Sequence, residues 1–266
     1  MAYMLRPRYV AAYAYDPRTS DHSIPVEANF PVNLIIFDVD GTLVDSQNII
    51  VEAQCRAFLQ HGLEPPTREQ ALAIVGLSLH EAFTALVGPE GPVAAIAESY
   101  RFAFANLRSG GFHEPLFAGI DTVLRKLAAR PDTLIGIATG KSQRGVRHLV
   151  EREGWHGLFT TIQTADDAPS KPHPAMILQA VAAAGASPER TVMIGDSTYD
   201  MEMARAAGTD GIGVSWGYHS PEALVRAGAQ NIVGCVVELE AELERMLGPA
   251  PVMGSQPGDA APISKP

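Results

Sequence analysis

Short, unbroken runs of apolar residues recur along the chain and are rich in branched side chains. The four clearest cover positions 34–38, 134–138, 191–195 and 211–214. Runs this short predict strands that are buried on both faces, as in a parallel sheet. Weaker runs at 159–163 and 232–236 predict two further strands.

Segments with apolar residues at helical spacing lie between these runs, at 119–129, 142–153, 174–184, 199–207 and 221–227. Strands that alternate with helices of this length indicate βαβ units with right-handed crossovers. The predicted fold class is therefore α/β, with a Rossmann-like parallel-sheet core in three layers, α/β/α.

The alternation fails between Ser46 and Glu114, where four segments have helical patterns and none resembles a strand. We expect an all-helical insert at 48–114 that interrupts a core formed by 34–47 and 115–247. Residues 1–33 lack a clear period and contain several prolines, which favours an N-terminal extension. Residues 248–266 are rich in Pro and Gly and predict a disordered tail.

Composition narrows the class of protein. With 46% hydrophobic and 19% charged residues, the chain has the balance of a folded globular protein. A net charge of -10 argues against nucleic-acid binding, and no apolar run is long enough to predict a membrane span. Two distant cysteines predict free thiols rather than a disulfide framework, so we expect a cytoplasmic protein. The sequence leaves open a monomer or a homodimer.

Four aspartates follow two of the predicted strands. Asp38 and Asp40 come at the end of the first run, and Asp196 and Asp200 follow the run at 191–195. Residues i and i+2 of an extended chain point the same way, and ligands bind at the carboxyl edge of such sheets. We expect all four carboxylates to crowd one crevice, where a divalent cation would relieve their repulsion. Oxygen ligands favour Mg²⁺.

Groups that suit a phosphate follow other predicted strands. Thr139 and Gly140, after the run at 134–138, offer a hydroxyl and backbone N–H groups, and Lys171 in SKPHP offers a positive charge. Gly41 allows a tight turn after Asp40. Aspartates, a metal, a hydroxyl and a lysine at one crevice suit phosphoryl transfer through an aspartyl-phosphate.

The segments FDVDGTLVDS, IATGKS, SKPHP and VMIGDSTYDMEMA occur in this order. In these motifs the chain resembles the haloacid dehalogenase-like hydrolases, from Leu34 to about Leu247. The resemblance implies that Asp38 is the nucleophile and Asp40 the general acid/base. It also implies that Thr139 and Lys171 bind phosphate.

The same resemblance implies a metal site. Asp196 is similar to the metal-binding acid of the family, which joins Asp38 and the backbone carbonyl of Asp40. Asp200 is similar to the acid that supports Lys171 and a metal-bound water. The helical insert resembles the family's cap, and GLSLHEAF and SWGYHS look most like phosphoglycolate phosphatase and its relatives. The implied substrate is a small phosphorylated metabolite.

Three other functions remain open. A sugar-phosphate mutase shares all four motifs and differs in cap residues. A 2-haloacid dehalogenase keeps the nucleophile but needs neither a second acid nor a metal, so Asp40 and Asp196 argue against it. A non-catalytic binding module would usually have lost Asp38, Asp40 or Lys171.

Several side chains near the motifs have two interpretations each. Lys141 is either a solvated surface lysine or a phosphate ligand. Asp45 is expected to cap the first helix of the insert. His219 and Trp216 are either packing residues or part of the mouth of the site.

Overall fold

Six parallel strands form one sheet in the order β3-β2-β1-β4-β5-β6. The computed structural model describes residues 32–251. The strands are β1 Asn33–Phe37, β2 Thr133–Ala138, β3 Thr161–Gln163, β4 Thr191–Gly195, β5 Asp210–Val214 and β6 Asn231–Val233. The central strand, β1, pairs with β2 on one side and with β4 on the other. The strand order reverses at β1, and this is where such sheets bind ligands.

Ten α-helices are present in residues 32–251. They are α1 Gln47–Gln60, α2 Arg68–Ala73, α3 Leu79–Val87, α4 Val93–Ser109, α5 Ile120–Ala129, α6 Gln143–Arg152, α7 Ala175–Ala184, α8 Thr198–Ala207, α9 Pro221–Ala227 and α10 Val236–Leu247. A short 3₁₀ turn, Pro188–Arg190, precedes β4. No helix in this part of the chain has both the length and the hydropathy that a membrane span requires.

Alternate residues of β1 supply two separate cores. Ile35 and Phe37 belong to a cluster that includes side chains of α5, α6 and α10, whereas Leu34 and Ile36 pack with side chains of α7 and α8. Each of these four side chains is buried, and burial of one contributes roughly 1.5–3 kcal/mol. The predicted three-layer α/β fold is confirmed.

Helices α1–α4 make up the helical insert between β1 and β2. They have apolar clusters of their own, one built around Phe58, Phe83 and Ile96 and another around Ile49 and Leu107. Each helix buries one stripe of apolar side chains against its neighbours, which explains the helical spacing of apolar residues in this region. The treatment of 48–114 as a separate domain stays a prediction.

The strand predicted at 232–236 is wrong at its C-terminal end. The strand there is β6, Asn231–Val233, and Val236 already begins α10. The apolar run IVGCVV conceals the boundary, because Cys235 is extended and the helix starts directly after it. The predicted extension, 1–33, and tail, 248–266, lie almost entirely outside the described residues.

Candidate active site

Asp38 lies directly after β1, at the edge of the sheet where the strand order reverses. Its backbone N–H donates to the carbonyl of Ile194 in β4 (2.9 Å), so the two strands stay paired up to this residue. Its carboxylate is buried and accepts from the backbone N–H of Val39 (2.6 Å). The sheet therefore fixes Asp38 in place.

The turn after Asp38 brings the backbone against another carboxylate. Gly41 has φ +85°, and a Cβ there would lie 2.2 Å from Oδ2 of Asp196. Only glycine fits both this backbone conformation and this close approach. The hydroxyl of Thr42 donates to Oδ1 of the same aspartate (3.1 Å).

A buried lysine pairs with Asp38, which follows β1, and with Asp200 in the first turn of α8. The ammonium of Lys171 lies 3.0 Å from Asp38 Oδ1 and 2.6 Å from Asp200 Oδ1. The other oxygen of Asp200, Oδ2, accepts from the backbone N–H of Ser197 (3.1 Å) and from its hydroxyl (2.7 Å) at the start of α8. These bonds hold Lys171 and Asp200 in fixed positions beside Asp38.

Three buried carboxylates, including that of Asp38, lie close together beside Lys171. Asp38, Asp196 and Asp200 are all buried, and one oxygen from each lies within 4.8 Å of the others. Burial raises the pKa of Asp38 to about 6, and the opposing effect of the Lys171 ammonium, which lowers this pKa, is smaller. Burial and the two neighbouring carboxylates raise the pKa of Asp196 well above its usual range.

This excess of negative charge fits a hard divalent cation. A buried set of carboxylate oxygens is the donor set that Mg²⁺ prefers, and a cation would remove the repulsion that raises these pKa values. Burial disfavours the charge on Lys171, but Asp200 and Asp38 outweigh it and raise the pKa of the ammonium. Lys171 therefore stays positively charged.

Asp40 departs from the expected arrangement. We predicted that its carboxylate would crowd the other three, but Oδ1 instead bonds the ammonium of Lys141 (2.8 Å) and the hydroxyl of Ser46 (2.7 Å). Lys141 also bonds Glu114 (2.9 Å) and is largely buried. It is therefore no solvated surface lysine. The carboxylate of Asp40 is thus paired with Lys141 and is not gathered with the other three.

The helical insert covers the site. The backbone N–H of Ser78 donates to the hydroxyl of Ser170 (2.8 Å), and the hydroxyl of Tyr199 donates to the carbonyl of Ala73 (3.1 Å). A cavity of about 410 Å³ remains between the insert and the sheet, and Asp38, Asp40, Thr139, Gly140 and Lys141 are among the residues that line it. Thr139 and Gly140 thus border the same space as the predicted nucleophile, whereas Lys171 contacts that nucleophile from outside the cavity lining.

Comparison with known proteins agrees with this geometry. The chain matches the haloacid dehalogenase-like hydrolases over residues 35–214. It belongs to this family.

Three relatives illustrate the relationship. A Dickeya dadantii protein named probable phosphatase IndB is 35% identical over 210 residues, which cover 77% of this chain and 91% of the relative. Pyrophosphatase PpaX of Anoxybacillus flavithermus is 32% identical over 188 residues, covering 70% and 84%. The crystal structure of a predicted phosphatase from Clostridium acetobutylicum matches with a TM-score of 0.73 at 26% identity, covering 81% of this chain and 99% of the other.

One loop of this hydrolase positions more of the site than the sequence suggested. The backbone N–H of Tyr218 donates to Asp196 Oδ2 (2.8 Å), and its hydroxyl lies 3.0 Å from the hydroxyl of Ser46. Ser46 in turn donates to Asp40, so the loop contacts Asp196 directly and Asp40 through Ser46. Trp216 Nε1 donates to the carbonyl of Thr42 (3.2 Å).

Other predictions about single side chains have mixed outcomes. Ser46, not Asp45, takes the N-cap position of α1. His219 is held in place, because its Nδ1 accepts from the backbone N–H of Thr198 (3.1 Å) and burial lowers the pKa of its ring. Glu114, which no motif singled out, is buried and pairs with Lys141. A buried glutamate gives no pattern that distinguishes it from an exposed one.

Proposed function

We propose that this hydrolase is a Mg²⁺-dependent phosphatase that cleaves the phosphomonoester of a small metabolite through an aspartyl-phosphate. The observation that carries the proposal is the setting of Asp38. Its carboxylate lines the cavity, is fixed by the sheet and lies 3.0 Å from the ammonium of a buried lysine. A nucleophile for phosphoryl transfer needs this combination of fixed position and nearby positive charge.

In the first step, an oxygen of Asp38 forms a bond to phosphorus while the bond to the ester oxygen breaks. The departing alkoxide takes a proton from Asp40. The ammonium of Lys171, the hydroxyl of Thr139 and the backbone N–H of Gly140 are proposed to hold the phosphoryl oxygens. Gly41 keeps the turn compact enough for Asp38 and Asp40 to act on the same phosphate ester.

In the second step, water attacks the phosphorus of the aspartyl-phosphate. Asp40, now a carboxylate, accepts a proton from that water, and the bond between phosphorus and Asp38 breaks. Inorganic phosphate leaves, and both aspartates return to their starting forms. Hydrogen bonds from Lys141 and Ser46, both to Oδ1, keep Asp40 in one position through both steps.

The metal would be held by Asp38, Asp196 and the backbone carbonyl of Asp40, with Asp200 supporting Lys171. A bound Mg²⁺ would supply charge neutralisation for the phosphoryl oxygens and the carboxylates. The close carboxylates and their raised pKa values support this assignment. We place the enzyme in the cytoplasm, where its two cysteines, which form no disulfide, would remain reduced.

Relatives named phosphatase and pyrophosphatase support the class of reaction. The sequence resemblance points to a phosphoglycolate-like ester as the starting hypothesis for the substrate. A dehalogenase would need no Asp40, yet this residue has a dedicated ion pair. A sugar-phosphate mutase would use the same groups and would transfer the phosphoryl group to a sugar instead of water.

The test is phosphate release from a panel of phosphate esters, measured with Mg²⁺ and with EDTA. We expect release that requires Mg²⁺ and a phosphorylated Asp38 that can be trapped in acid and located by mass spectrometry. If the folded protein releases no phosphate from any ester, the phosphatase proposal is wrong. Transfer to a sugar phosphate would then indicate a mutase.

A further inference from the structure

The cavity beside Asp38 is lined by polar residues and by apolar residues. Around Asp38 the lining is polar and includes Asp40, Thr139 and Gly140, of which the last two are proposed to bind phosphate. At about 410 Å³ the cavity falls in the range of roughly 300–1,000 Å³ in which proteins bind ligands of drug size. Phosphoglycolate has two carbon atoms, so it would leave most of this space unfilled.

The wall of the cavity is apolar and aromatic. The helical insert supplies much of this wall, including Ile50, Ile74, Leu77, Phe83, Tyr100 and Phe104. Three of the rings form a series, since Tyr100 lies 5.5 Å from Phe83 and 5.8 Å from Phe104 between ring centroids. Rings in such contact hold one another in place. A substrate that extends beyond its phosphoryl group therefore meets a fixed apolar surface.

Arginines lie along the same cavity. Arg101, Phe104 and Arg108 are three and four residues apart on α4, so they share one face of that helix. Arg108 already pairs with Glu114 (3.4 Å) and lies 5.0 Å from the ring centre of Phe104. The guanidinium of Arg108 therefore already has partners within the protein.

Arg101 and a second arginine, Arg144 in the first turn of α6, differ from Arg108. Both line the cavity and are exposed, and neither guanidinium has a hydrogen bond or ion pair to any residue between 32 and 251. A free guanidinium at the mouth of a cavity is suited to bind a carboxylate or phosphate. Both therefore favour negative charge at the outer end of the substrate.

We propose that the substrate is a phosphomonoester whose phosphoryl group is followed by an apolar, ring-containing segment that ends in a second anionic group. Asp38 meets the phosphoryl group, the aromatic wall meets the ring, and Arg101 and Arg144 meet the outer charge. This assignment rests on the proposed phosphatase function and narrows its substrate class. It disfavours phosphoglycolate and pyrophosphate, because neither has an apolar segment.

The experiment compares four alkyl phosphates at saturating Mg²⁺. They are phosphoglycolate, benzyl phosphate, para-carboxybenzyl phosphate and the cationic para-aminomethylbenzyl phosphate. The three benzyl esters share one kind of leaving group and differ in the charge at the outer end. We expect kcat/KM to be highest for the carboxybenzyl ester, at least tenfold above the benzyl ester, and lowest among the three for the cationic one. Benzyl phosphate should exceed phosphoglycolate.

Variants then locate the outer charge. Arg101→Gln and Arg144→Gln should each lower the ratio of kcat/KM for carboxybenzyl to benzyl phosphate by at least fivefold, chiefly through KM. Arg147→Gln, on the same helix as Arg144 but outside the cavity lining, is the matched control and should leave this ratio unchanged.

The outcomes separate the two proposals. A preference for phosphoglycolate, or a ratio that neither Arg101→Gln nor Arg144→Gln lowers, overturns this substrate class while the phosphatase function stands. No release from any of the four esters or from the wider panel, by folded protein, overturns the phosphatase function and this inference with it.

Discussion

At the scale of single residues, the proposed nucleophile is held in a state that costs free energy. Asp38 is buried with two other carboxylates, and Lys171 is the one cation that touches it within residues 32–251. Burial raises the pKa of Asp38 to about 6, so its ionised form is disfavoured in the metal-free protein. A group prepared for reaction in this way lowers the stability of the fold that contains it.

Asp38→Asn should therefore abolish turnover and stabilise the protein. The amide has nearly the same shape and removes one buried negative charge. In EDTA at pH 8, we expect the free energy of unfolding to rise by about 1–3 kcal/mol. Denaturant unfolding measures this change. Glu64→Gln, at an exposed position, should alter neither activity nor stability, and a less stable Asp38→Asn protein would contradict the argument.

In the proposed mechanism, Tyr218 positions Asp40 through Ser46, which bonds both residues. Tyr218→Phe removes the hydroxyl that contacts Ser46 but keeps the backbone bond to Asp196. Phosphoenzyme formation from an alkyl phosphate, measured in a single turnover, should slow about tenfold, because the leaving alkoxide needs a well-placed acid.

The same step with para-nitrophenyl phosphate should hardly change in Tyr218→Phe, since nitrophenolate leaves without a proton. This contrast separates positioning of Asp40 from general damage to the site. Equal slowing of both esters would show that Tyr218 has only a structural role.

At the scale of elements, the helical insert meets the sheet at one tight contact. A Cβ at Gly140 would lie 2.6 Å from the backbone carbonyl oxygens of both Gly76 and Leu77. Gly140 follows β2, and the other two residues lie between α2 and α3. Because backbone is less adaptable than a flexible side chain, a methyl group here must move the insert.

Gly140→Ala should accordingly lower kcat/KM at least tenfold, through displacement of the insert from the loop proposed to bind phosphate. Global stability should change by less than about 1 kcal/mol, since the apolar cores of sheet and insert are untouched. Steady-state kinetics and thermal unfolding test the two statements. Gly110→Ala, at the end of α4 with a negative φ, is the matched control. Normal kinetics in Gly140→Ala would exclude a role for this contact.

The sequence predicted most elements because local pattern and final burial coincide. β1, β2, β4 and β5 are fully or almost fully buried, so each appeared as an unbroken apolar run. The end of β6 and the whole of α10 were missed. The spacing of Leu239 and Leu243 carried a helical signal, but the apolar run before them obscured where the helix begins.

For the site, sequence order predicted the residues that follow strands, because topology alone brings Asp38, Thr139 and Asp196 to one edge. It could not predict the partners of Asp40. The bonds to Lys141 and Ser46 depend on how loops fold over one another, and no spacing in the sequence records that.

At the scale of the whole molecule, the chain combines a net charge of -10 with a buried cluster of acids. The raised pKa values of Asp38 and Asp196 mean that the folded metal-free protein binds more protons than the unfolded chain. Its stability from these groups is complete below about pH 4 and is lost as pH rises through 6 and beyond.

Magnesium should therefore stabilise the protein in a pH-dependent way. A cation needs ionised ligands, so protons compete with it for Asp38 and Asp196. We expect Mg²⁺ to raise the Tm by several degrees at pH 8 and by little at pH 5. Scanning calorimetry with Mg²⁺ or EDTA at both values measures this difference. Asp196→Asn should abolish it, and an equal shift at both pH values would argue against a carboxylate site.

The chain contains two tryptophans, and their positions differ in a useful way. Trp155 is buried in the apolar core. Trp216 instead donates to the backbone carbonyl of Thr42, and the hydroxyl of Thr42 donates to Asp196. A change at Asp196 can therefore reach the indole of Trp216 through Thr42, whereas Trp155 lies in the core. The protein has a built-in optical reporter, and in a Trp155→Phe background its emission would follow the filling of the site without any added dye.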